Sequence, residues 1–471
     1  MLGKNCGLFI IILVLLFCPG LSASSLAQEK QEKKEAPADP KSPKQEKGEA
    51  AKPAAGAKKG GTRELGIQWP RWLQPTMAIR GRLEQPWGRG FSTHNEDLYY
   101  LGRFSIGAAV TPSKYLTFFA MGQDSRLWFY NDLTTRTRGM KHTFDLRQLY
   151  ADLHVKKGER TVAFRLGRQY LDFGGRRLVA VPTWGNYTSI YDAARLTYSD
   201  QAMKIDVFAS TRISDIYTYK AAKNRPGENL YGIYTEFMKL IPYSSFQPYI
   251  LWRTQPNVIG ESLARGDSDL WTMGFRWTGK LPNRLDFVIE EVLQRGTYAN
   301  DDVSAYGMIY TVGYTVTAAK WKPRLSLEVN YASGDASRTD GKRQTFDQLY
   351  PSNHGVFGIA DQVGWRNIFH TKYVFDCAPH PKIKLLLSIN EHYLATVQDG
   401  LYNSSGIQIV RNTKATSRHI GWEPNIQFDY AFNKKWSAGF GVARLFPGKY
   451  LKQSTAGHAY TYPYLMWEYK F

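Results

Sequence analysis

The stretch HIGWEPNIQFDY at residues 419–430 alternates at every position between polar or small residues and apolar or aromatic residues. Successive side chains of a β-strand point to opposite sides, so a strand here would have one polar and one apolar face. The segment therefore predicts a strand that separates water from an apolar environment. The polar set is His419, Gly421, Glu423, Asn425, Gln427 and Asp429, and the apolar set is Ile420, Trp422, Pro424, Ile426, Phe428 and Tyr430.

The same period of two recurs along the chain, for example at residues 148–155, 271–278 and 324–331. These segments run to about ten residues or more, the length that a tilted strand needs to cross a bilayer. Aromatic residues cluster near the segment ends, as in the interfacial girdles of membrane barrels. The mean hydropathy of −0.41 argues against a bundle of membrane helices. The aromatic residues at segment ends are Trp69, Trp72, Trp128, Tyr130, Trp321, Trp436 and Trp467.

We therefore predict an all-β fold, a transmembrane antiparallel β-barrel of 18 strands formed by residues 63–471. Short turns such as residues 156–159 and 433–435 are expected at the periplasmic rim, and long polar stretches such as residues 333–360 and 399–414 in outer loops. The predicted strands begin near Pro75, Leu98, Lys114, Phe144, Thr161, Ile190, Met203, Glu228, Ser245, Asp267, Asn283, Ser304, Lys322, Gln362, Pro381, Thr416, Lys434 and Ala459.

The C-terminal segment is the most specific local signal. Leu465, Trp467, Tyr469 and Phe471 share one face, and Phe471 is the final residue of the sequence. A terminal Phe on an alternating aromatic strand resembles the recognition signal of outer-membrane barrels. It implies the barrel-assembly machinery as a partner. This last strand is expected to close against the first, because an open sheet edge in lipid leaves backbone groups unpaired.

The N-terminal part has the composition of an export signal followed by a linker. Lys4, the apolar run at residues 8–17 and the small residues near Ala27 predict a signal peptide over residues 1–27. Residues 28–62 contain no aromatic residue and are rich in Lys, Glu, Ala and Pro, so they are predicted to be disordered. Removal of the signal leaves Cys377 as the one thiol, which excludes an intrachain disulfide.

The positive charge lies mainly on the predicted barrel. The chain carries 61 Lys and Arg against 41 Asp and Glu, a net charge of +20, of which +1 falls in the signal, +3 in the linker and +16 in residues 63–471. This distribution argues against a basic nucleic-acid-binding arm, and an exported protein has little access to nucleic acid. It fits an anionic solute in the lumen together with rim cations on lipid phosphate.

The sequence lacks the motifs of common enzymes. It contains no HExxH, paired CxxC, GxSxG or phosphate-binding glycine-rich motif, so we predict neither an enzyme nor a bound cofactor or metal. An outer-membrane hydrolase stays open as an alternative, because its catalytic groups could come from separate strands without a sequence motif.

Three groups of motifs follow one another along the predicted barrel. They are LRQLYADL at 146–153 with LGRQYL at 166–171, GRRL at 175–178 and YDAARL at 191–196; ASGD at 332–335 with FDQLYP at 346–351; and GWE at 421–423 with FPGKYL at 446–451. Their order and spacing resemble the alginate export family of outer-membrane barrels. The resemblance implies a monomeric 18-stranded barrel in the bacterial outer membrane that passes an anionic uronate polymer outward by passive diffusion.

Arginine suits such a polymer, because its planar fork can donate two hydrogen bonds to one carboxylate. Alternation places Arg165, Arg195, Arg276 and Arg324 on inward faces, whereas Arg168 falls on the outward parity and is included because of the resemblance. The interleaved acids Asp152 and Asp192 would hold arginines in place and keep the polymer from binding too tightly. The predicted path consists of Arg147, Asp152, Arg165, Arg168, Arg176, Arg177, Asp192, Arg195, Arg276, Arg324 and Glu328.

The sequence leaves a second transport function open, that of an anion-selective porin for the uptake of small acidic solutes. The two functions differ in the width of the lumen and in the loops that restrict it, neither of which the sequence gives. Lipid of the outer membrane is an expected partner in both cases.

Overall fold

The structure is a computed structural model that describes residues 63–64, 67–93, 95–130, 140–214 and 223–471. The predicted signal peptide and linker, residues 1–62, lie outside the described residues. Among the residues described, none of the helices combines the length and the apolar character needed to cross a bilayer.

Eighteen antiparallel strands form a closed barrel, which confirms the predicted fold and strand number. Each predicted start lies within six residues of the observed one. The last strand pairs with the first from Tyr464 opposite Glu84 to Lys470 opposite Ala78, so the barrel has no open edge. The strands are β1 Leu73–Glu84, β2 Tyr99–Ser113, β3 Leu116–Trp128, β4 His142–Lys157, β5 Arg160–Gln169, β6 Ile190–Ser199, β7 Met203–Ser214, β8 Lys223–Phe237, β9 Ser244–Ile259, β10 Arg265–Lys280, β11 Leu285–Tyr298, β12 Asp301–Thr315, β13 Arg324–Ala332, β14 Ile368–His380, β15 Ile383–Leu394, β16 His419–Ala431, β17 Trp436–Pro447 and β18 Tyr460–Lys470.

The two rims of the barrel differ in the length of their connections. One rim carries short turns, such as residues 114–115 and 158–159, and also the two ends of the barrel sequence; we call it the turn rim. The opposite rim, the loop rim, carries the long connections, among them residues 170–189 and 333–367. Bacterial barrels keep short turns in the periplasm and long loops outside, so the turn rim faces the periplasm.

A few short elements lie outside the barrel strands. The longest is the helix α1 at Lys449–Ser454, in the connection between β17 and β18. The others are a 3-10 helix at Arg89–Phe91, paired segments at Arg63–Glu64 with Ile67–Gln68, a strand at Lys342–Arg343 parallel to β12, and paired segments at Leu401–Tyr402 with Gln408–Val410.

Side chains alternate between the two faces of the wall as predicted. On β4, Leu149 and Leu153 each expose 52% of their surface, whereas Gln148 and Asp152 expose 5% and 6%. The apolar set therefore faces outward, toward lipid, and the polar set faces the lumen.

The alternation fails where a β-bulge adds a residue to one strand. We predicted that Ile420 faces outward, but it is fully buried, because the register shifts between His392 and Tyr393 opposite residues 419–421. A second shift, opposite Met121 and Gly122, leaves both Arg147 and Gln148 buried. Bulges thus reverse the parity on which a sequence prediction depends.

The apolar core lies inside the barrel and is built largely from two connections of the loop rim. We call residues 170–189 inner loop A and residues 333–367 inner loop B. Phe173 and Leu178 of inner loop A, with Phe346 and Trp365 of inner loop B, belong to one buried cluster with inward-facing wall residues such as Leu251. Inner loop B is therefore not simply an outer loop, as its polarity had suggested, because its scattered apolar side chains are buried against the wall.

Candidate permeation path

The two inner loops bind each other in the lumen. The backbone N–H of Tyr350 donates to the carbonyl oxygen of Leu178 at 2.7 Å, and the N–H of Ala180 donates to the carbonyl oxygen of Tyr350 at 3.0 Å. The rings of Trp184 and His354 stack with centroids 3.7 Å apart and planes 4° from parallel. The loops therefore form one continuous constriction rather than two separate lids.

Inner loop B is fixed to the wall through Asp347. Its carboxylate lies 2.8 Å from a guanidinium nitrogen of Arg253 on β9 and 3.0 Å from one of Arg366. Its backbone N–H and carbonyl oxygen bond the side chain of Gln294 on β11 at 2.8 and 2.7 Å. Burial opposes ionisation, but the two guanidinium groups hold the pKa of Asp347 well below its usual range.

Inner loop A is fixed to β1 and β2 through arginines that the sequence reasoning missed. The guanidinium of Arg80 donates to the carbonyl oxygen of Thr183 at 2.6 Å, and that of Arg103 donates to the same oxygen at 3.1 Å. Arg82 lies over the ring of Trp184, 3.7 Å from its centroid. The sequence does indicate that the β1 arginines face the lumen, because the charged residues at positions 80, 82 and 84 alternate with apolar or small residues.

Three predicted arginines face the lumen, and each is paired with a carboxylate. Arg165 bonds the predicted Asp152 at 2.5 Å. The other two pairs are Arg195 with Asp206 at 2.8 Å and Arg324 with Asp286 at 2.7 Å, the latter with Asp376 at 3.3 Å. Ion pairs within the wall thus neutralise much of the charge that we had assigned to a basic lumen.

The predicted residues Arg177 and Glu328 join inner loop A to the opposite wall. A guanidinium nitrogen of Arg177 lies 2.9 Å from a carboxylate oxygen of Glu328 on β13. Arg276 donates to the side-chain oxygen of Gln247 at 3.3 Å and is the cross-strand neighbour of Glu290.

Two predicted arginines support inner loop A. Arg176 bonds Asp172 at 2.8 Å and so braces inner loop A itself. Arg147, buried at the bulge of β4, lies 4.4 Å from the ring centroid of Tyr187 and donates to the carbonyl oxygen of Thr188.

The structure places Arg168 and Asp192 on the outer face of the barrel, which corrects their assignment to the lumen. They form an ion pair at 3.0 Å. Arg168 is the register partner of the outward-facing Leu149, and register partners point to the same side. No bulge lies between Arg165 and Arg168, so the two side chains keep opposite faces. The alternation of the sequence therefore predicted the outward face of Arg168 correctly, and the family resemblance did not.

Among the described residues, Arg80, like Arg276, is bonded by neutral acceptors and not by a carboxylate. Besides the carbonyl of Thr183, it bonds the carbonyl oxygen of Gly185 and the side-chain oxygen of Asn186, at 3.3 and 2.8 Å. Within the described ranges it forms no ion pair closer than 4 Å. The acceptors around its guanidinium are neutral. An anionic ligand can displace neutral acceptors at smaller cost than it could displace a carboxylate.

One group of carboxylates at the loop rim brings oxygen atoms within 4.8 Å of one another, namely Glu261, Asp335 and Asp340. Burial and the neighbouring Glu261 raise the pKa of Asp335 to about 7. Exposed acidic groups of this kind occur often without a bound ion, so the cluster alone does not define a metal site.

Comparison with known proteins agrees with this architecture. Solved structures with the same fold include OccK3 of Pseudomonas aeruginosa (10% identity, TM-score 0.55, 85% of this chain and 95% of that chain) and OccK5 of the same species (9%, 0.56, 85% and 98%). OccAB4 of Acinetobacter baumannii is similar to the same degree (10%, 0.53, 85% and 98%). No curated protein sequence matches the chain. The sequence pattern of the family described as alginate export matches residues 72–462. The chain therefore belongs to the alginate export family and is a channel of the bacterial outer membrane.

Proposed function

We propose that this channel passes an anionic, uronate-type polysaccharide outward through its lumen by passive diffusion. The observation that carries the proposal is the pair formed by Arg80 and Arg103, which are register partners on β1 and β2. Both guanidinium groups point into the lumen and bond carbonyl oxygens of inner loop A, and Arg103 also lies 3.7 Å from a carboxylate oxygen of Glu468. Family membership supports the same class of substrate.

The chemistry of these two arginines fits a chain of carboxylates. A guanidinium fork binds a carboxylate through two parallel hydrogen bonds, which are stronger than the bonds to neutral carbonyls that it would replace. The surrounding ion pairs keep the rest of the wall near neutrality, so the polymer meets a few weak sites and not one deep well. Conduction requires such weak, repeated contacts.

The test is block of single-channel current in planar bilayers. Uronate oligomers should reduce the current at concentrations where neutral glycans of equal length do not. Arg80→Gln should weaken this block by a factor of about 10 to 100, the loss expected for one charge-assisted contact. Arg168→Gln is the matched control, because it removes an arginine from the outer face.

Arg80→Lys separates charge from loop position, since it keeps the positive charge and loses the fork. Partial retention of block by this variant, with unchanged conductance, is the expected result. Equal block by uronate and neutral oligomers would sink the proposal.

One observation favours a second function, the uptake of small acidic solutes. The inner loops fill much of the lumen with buried side chains, which suits a monomeric solute better than a polymer. The two functions are separated by size: a sugar acid monomer that carries current while its oligomers neither pass nor block would favour the porin.

A further inference from the structure

Positive charge is denser on the turn rim of the barrel than on the loop rim. The segments that connect strands at this rim contain eight Lys or Arg and only two acidic residues, Glu159 and Asp200, in 31 residues. Among the residues that the structure describes, the connections of the loop rim contain 13 Lys or Arg and nine acidic residues in 115 residues. The turn rim therefore has more basic residues and fewer acidic residues per residue than the loop rim.

The two rims also differ in the kind of cation. Seven of the eight turn-rim cations are lysines, whereas eight of the 13 described loop-rim cations are arginines. Arginine forks suit fixed planar partners, and inner loops A and B use them in that way. Flexible lysines carry compact charges that suit a mobile surface of phosphates.

Lysines of the turn rim stand beside exposed aromatic rings. The ammonium group of Lys114 lies 4.9 Å from the ring centroid of Tyr115, which is 48% exposed. Trp321, 43% exposed, is flanked in sequence by Lys320 and Lys322. Such pairs occur where a side chain meets lipid headgroups, with the ring at the interface and the ammonium group in the phosphate layer.

Two lysines that point into the lumen at this rim are paired with carboxylates. Lys204 lies 3.2 Å from Asp206, and Lys470 lies 3.7 Å from Glu468. Part of the lumen-facing charge at this rim is thus compensated, while the turn tips carry an excess of lysine over acidic residues. This division favours a partner that surrounds the barrel over one that enters it.

We propose that the turn rim is a docking surface for the anionic phospholipid headgroups of the inner leaflet. The recognised group is the lipid phosphodiester, bound by several lysines around the rim and screened by salt. The proposal does not depend on which solute passes through the lumen.

The test compares two variants of the full-length protein that lose equal charge. The turn-rim variant carries Lys→Gln at Lys114, Lys239, Lys320, Lys322, Lys382 and Lys434. The loop-rim control carries Gln at Lys141, Lys342, Arg411, Lys414, Lys449 and Lys452. Retention of heat-modifiable mobility on gels shows that each variant is folded; if the turn-rim variant fails this check, Lys320→Gln with Lys322→Gln replaces it.

Lipid binding is measured by native mass spectrometry in detergent with phosphatidylglycerol and phosphatidylcholine of the same chain length. We expect the natural chain to retain phosphatidylglycerol about tenfold over phosphatidylcholine, and the turn-rim variant to lose most of this preference. The loop-rim control should stay within about twofold of the natural chain, and 1 M salt should abolish the preference.

Three results would overturn the proposal. One is an unchanged preference in the turn-rim variant. Another is an equal loss in both variants, which would indicate an effect of net charge alone. The last is a turn-rim variant that keeps its lipid preference but is blocked less by uronate oligomers added from the turn side, because this would assign the rim to polymer capture. Failure of uronate block in the natural chain would contradict the proposed function and leave the lipid result standing.

Discussion

Replacement of Asp347 by Asn should release inner loop B from the wall. The substitution keeps the size of the side chain and removes the charge that two arginines share. Arg253, which exposes only 5% of its surface, then loses its carboxylate partner while it stays surrounded by protein. The remaining anchors of this part of the loop are the hydrogen bonds to Gln294 and the apolar contacts of Phe346.

The size of the effect follows from the burial of the pair. Removal of one partner from a buried ion pair costs about 3 to 5 kcal/mol, because the other charge stays buried without compensation. The lower figure corresponds to a shift of about a hundredfold between the packed and the displaced loop. Arg253→Gln combined with Asp347→Asn should cost less than the two single changes together, because the unpaired charge is then absent.

The assay is single-channel recording in planar bilayers. We expect large-conductance openings that are rare in the natural chain to become about a hundredfold more frequent in Asp347→Asn. Asp340→Asn is the matched control, since Asp340 is an exposed carboxylate of the same loop. Openings equally rare in Asp347→Asn and in the control would refute the reasoning that this ion pair holds the constriction.

Three further predictions concern charge and backbone. Arg165→Glu with Arg195→Glu should shift the reversal potential in a salt gradient toward cation selectivity, because each new carboxylate faces an existing one; unchanged selectivity would count against a lumen role. Since the pKa of Asp335 is raised from 3.8 to about 7, its contribution to stability is fully present below its ordinary pKa and is lost as the pH rises to about 7, so Asp335→Asn should remove a fall in thermal stability between about pH 4 and 7. Gly358→Ala should lower the melting temperature, because a Cβ at this residue (φ 97°) would lie 2.1 Å from Glu423 Oε1; an unchanged melting temperature would contradict the packing of inner loop B.

The barrel could be predicted from the sequence because alternation reports directly on two environments. Each residue of a strand such as β10 faces either lipid or the lumen, so Trp271 and Thr272 reveal the fold without knowledge of any distant contact. Short turns such as residues 158–159 leave little freedom in the pairing of neighbouring strands.

The candidate path could be predicted only in part, because bulges and long-range contacts leave no local pattern. The bulge that turns Ile420 inward adds one residue and reverses the parity of its neighbour. Arg253 and Asp347 are 94 residues apart in sequence, and nothing near either residue indicates that inner loop B returns into the barrel. The alternation of the sequence correctly predicted that Arg165 faces the lumen. It could not show that an ion pair with Asp152 neutralises its charge.

The structure revises the predicted location of the positive charge more than any other part of the sequence analysis. The sequence assigned the net charge of residues 63–471 to the lumen and the rims together, without a division between them. In the described part of the chain, wall arginines such as Arg195 pair with carboxylates, and the turn segments carry a dense excess of lysine. Arg80 is a lumen charge held by neutral acceptors, and its register partner Arg103 lies 3.7 Å from a carboxylate oxygen of Glu468.

The central claim, passage of anions past these arginines, is tested most directly by the reversal potential of the purified channel in a planar bilayer under a tenfold gradient of potassium chloride. We expect a potential of the sign set by chloride, reduced in Arg80→Gln and unchanged in Arg168→Gln. A potential of the sign set by potassium in the natural chain would contradict that claim.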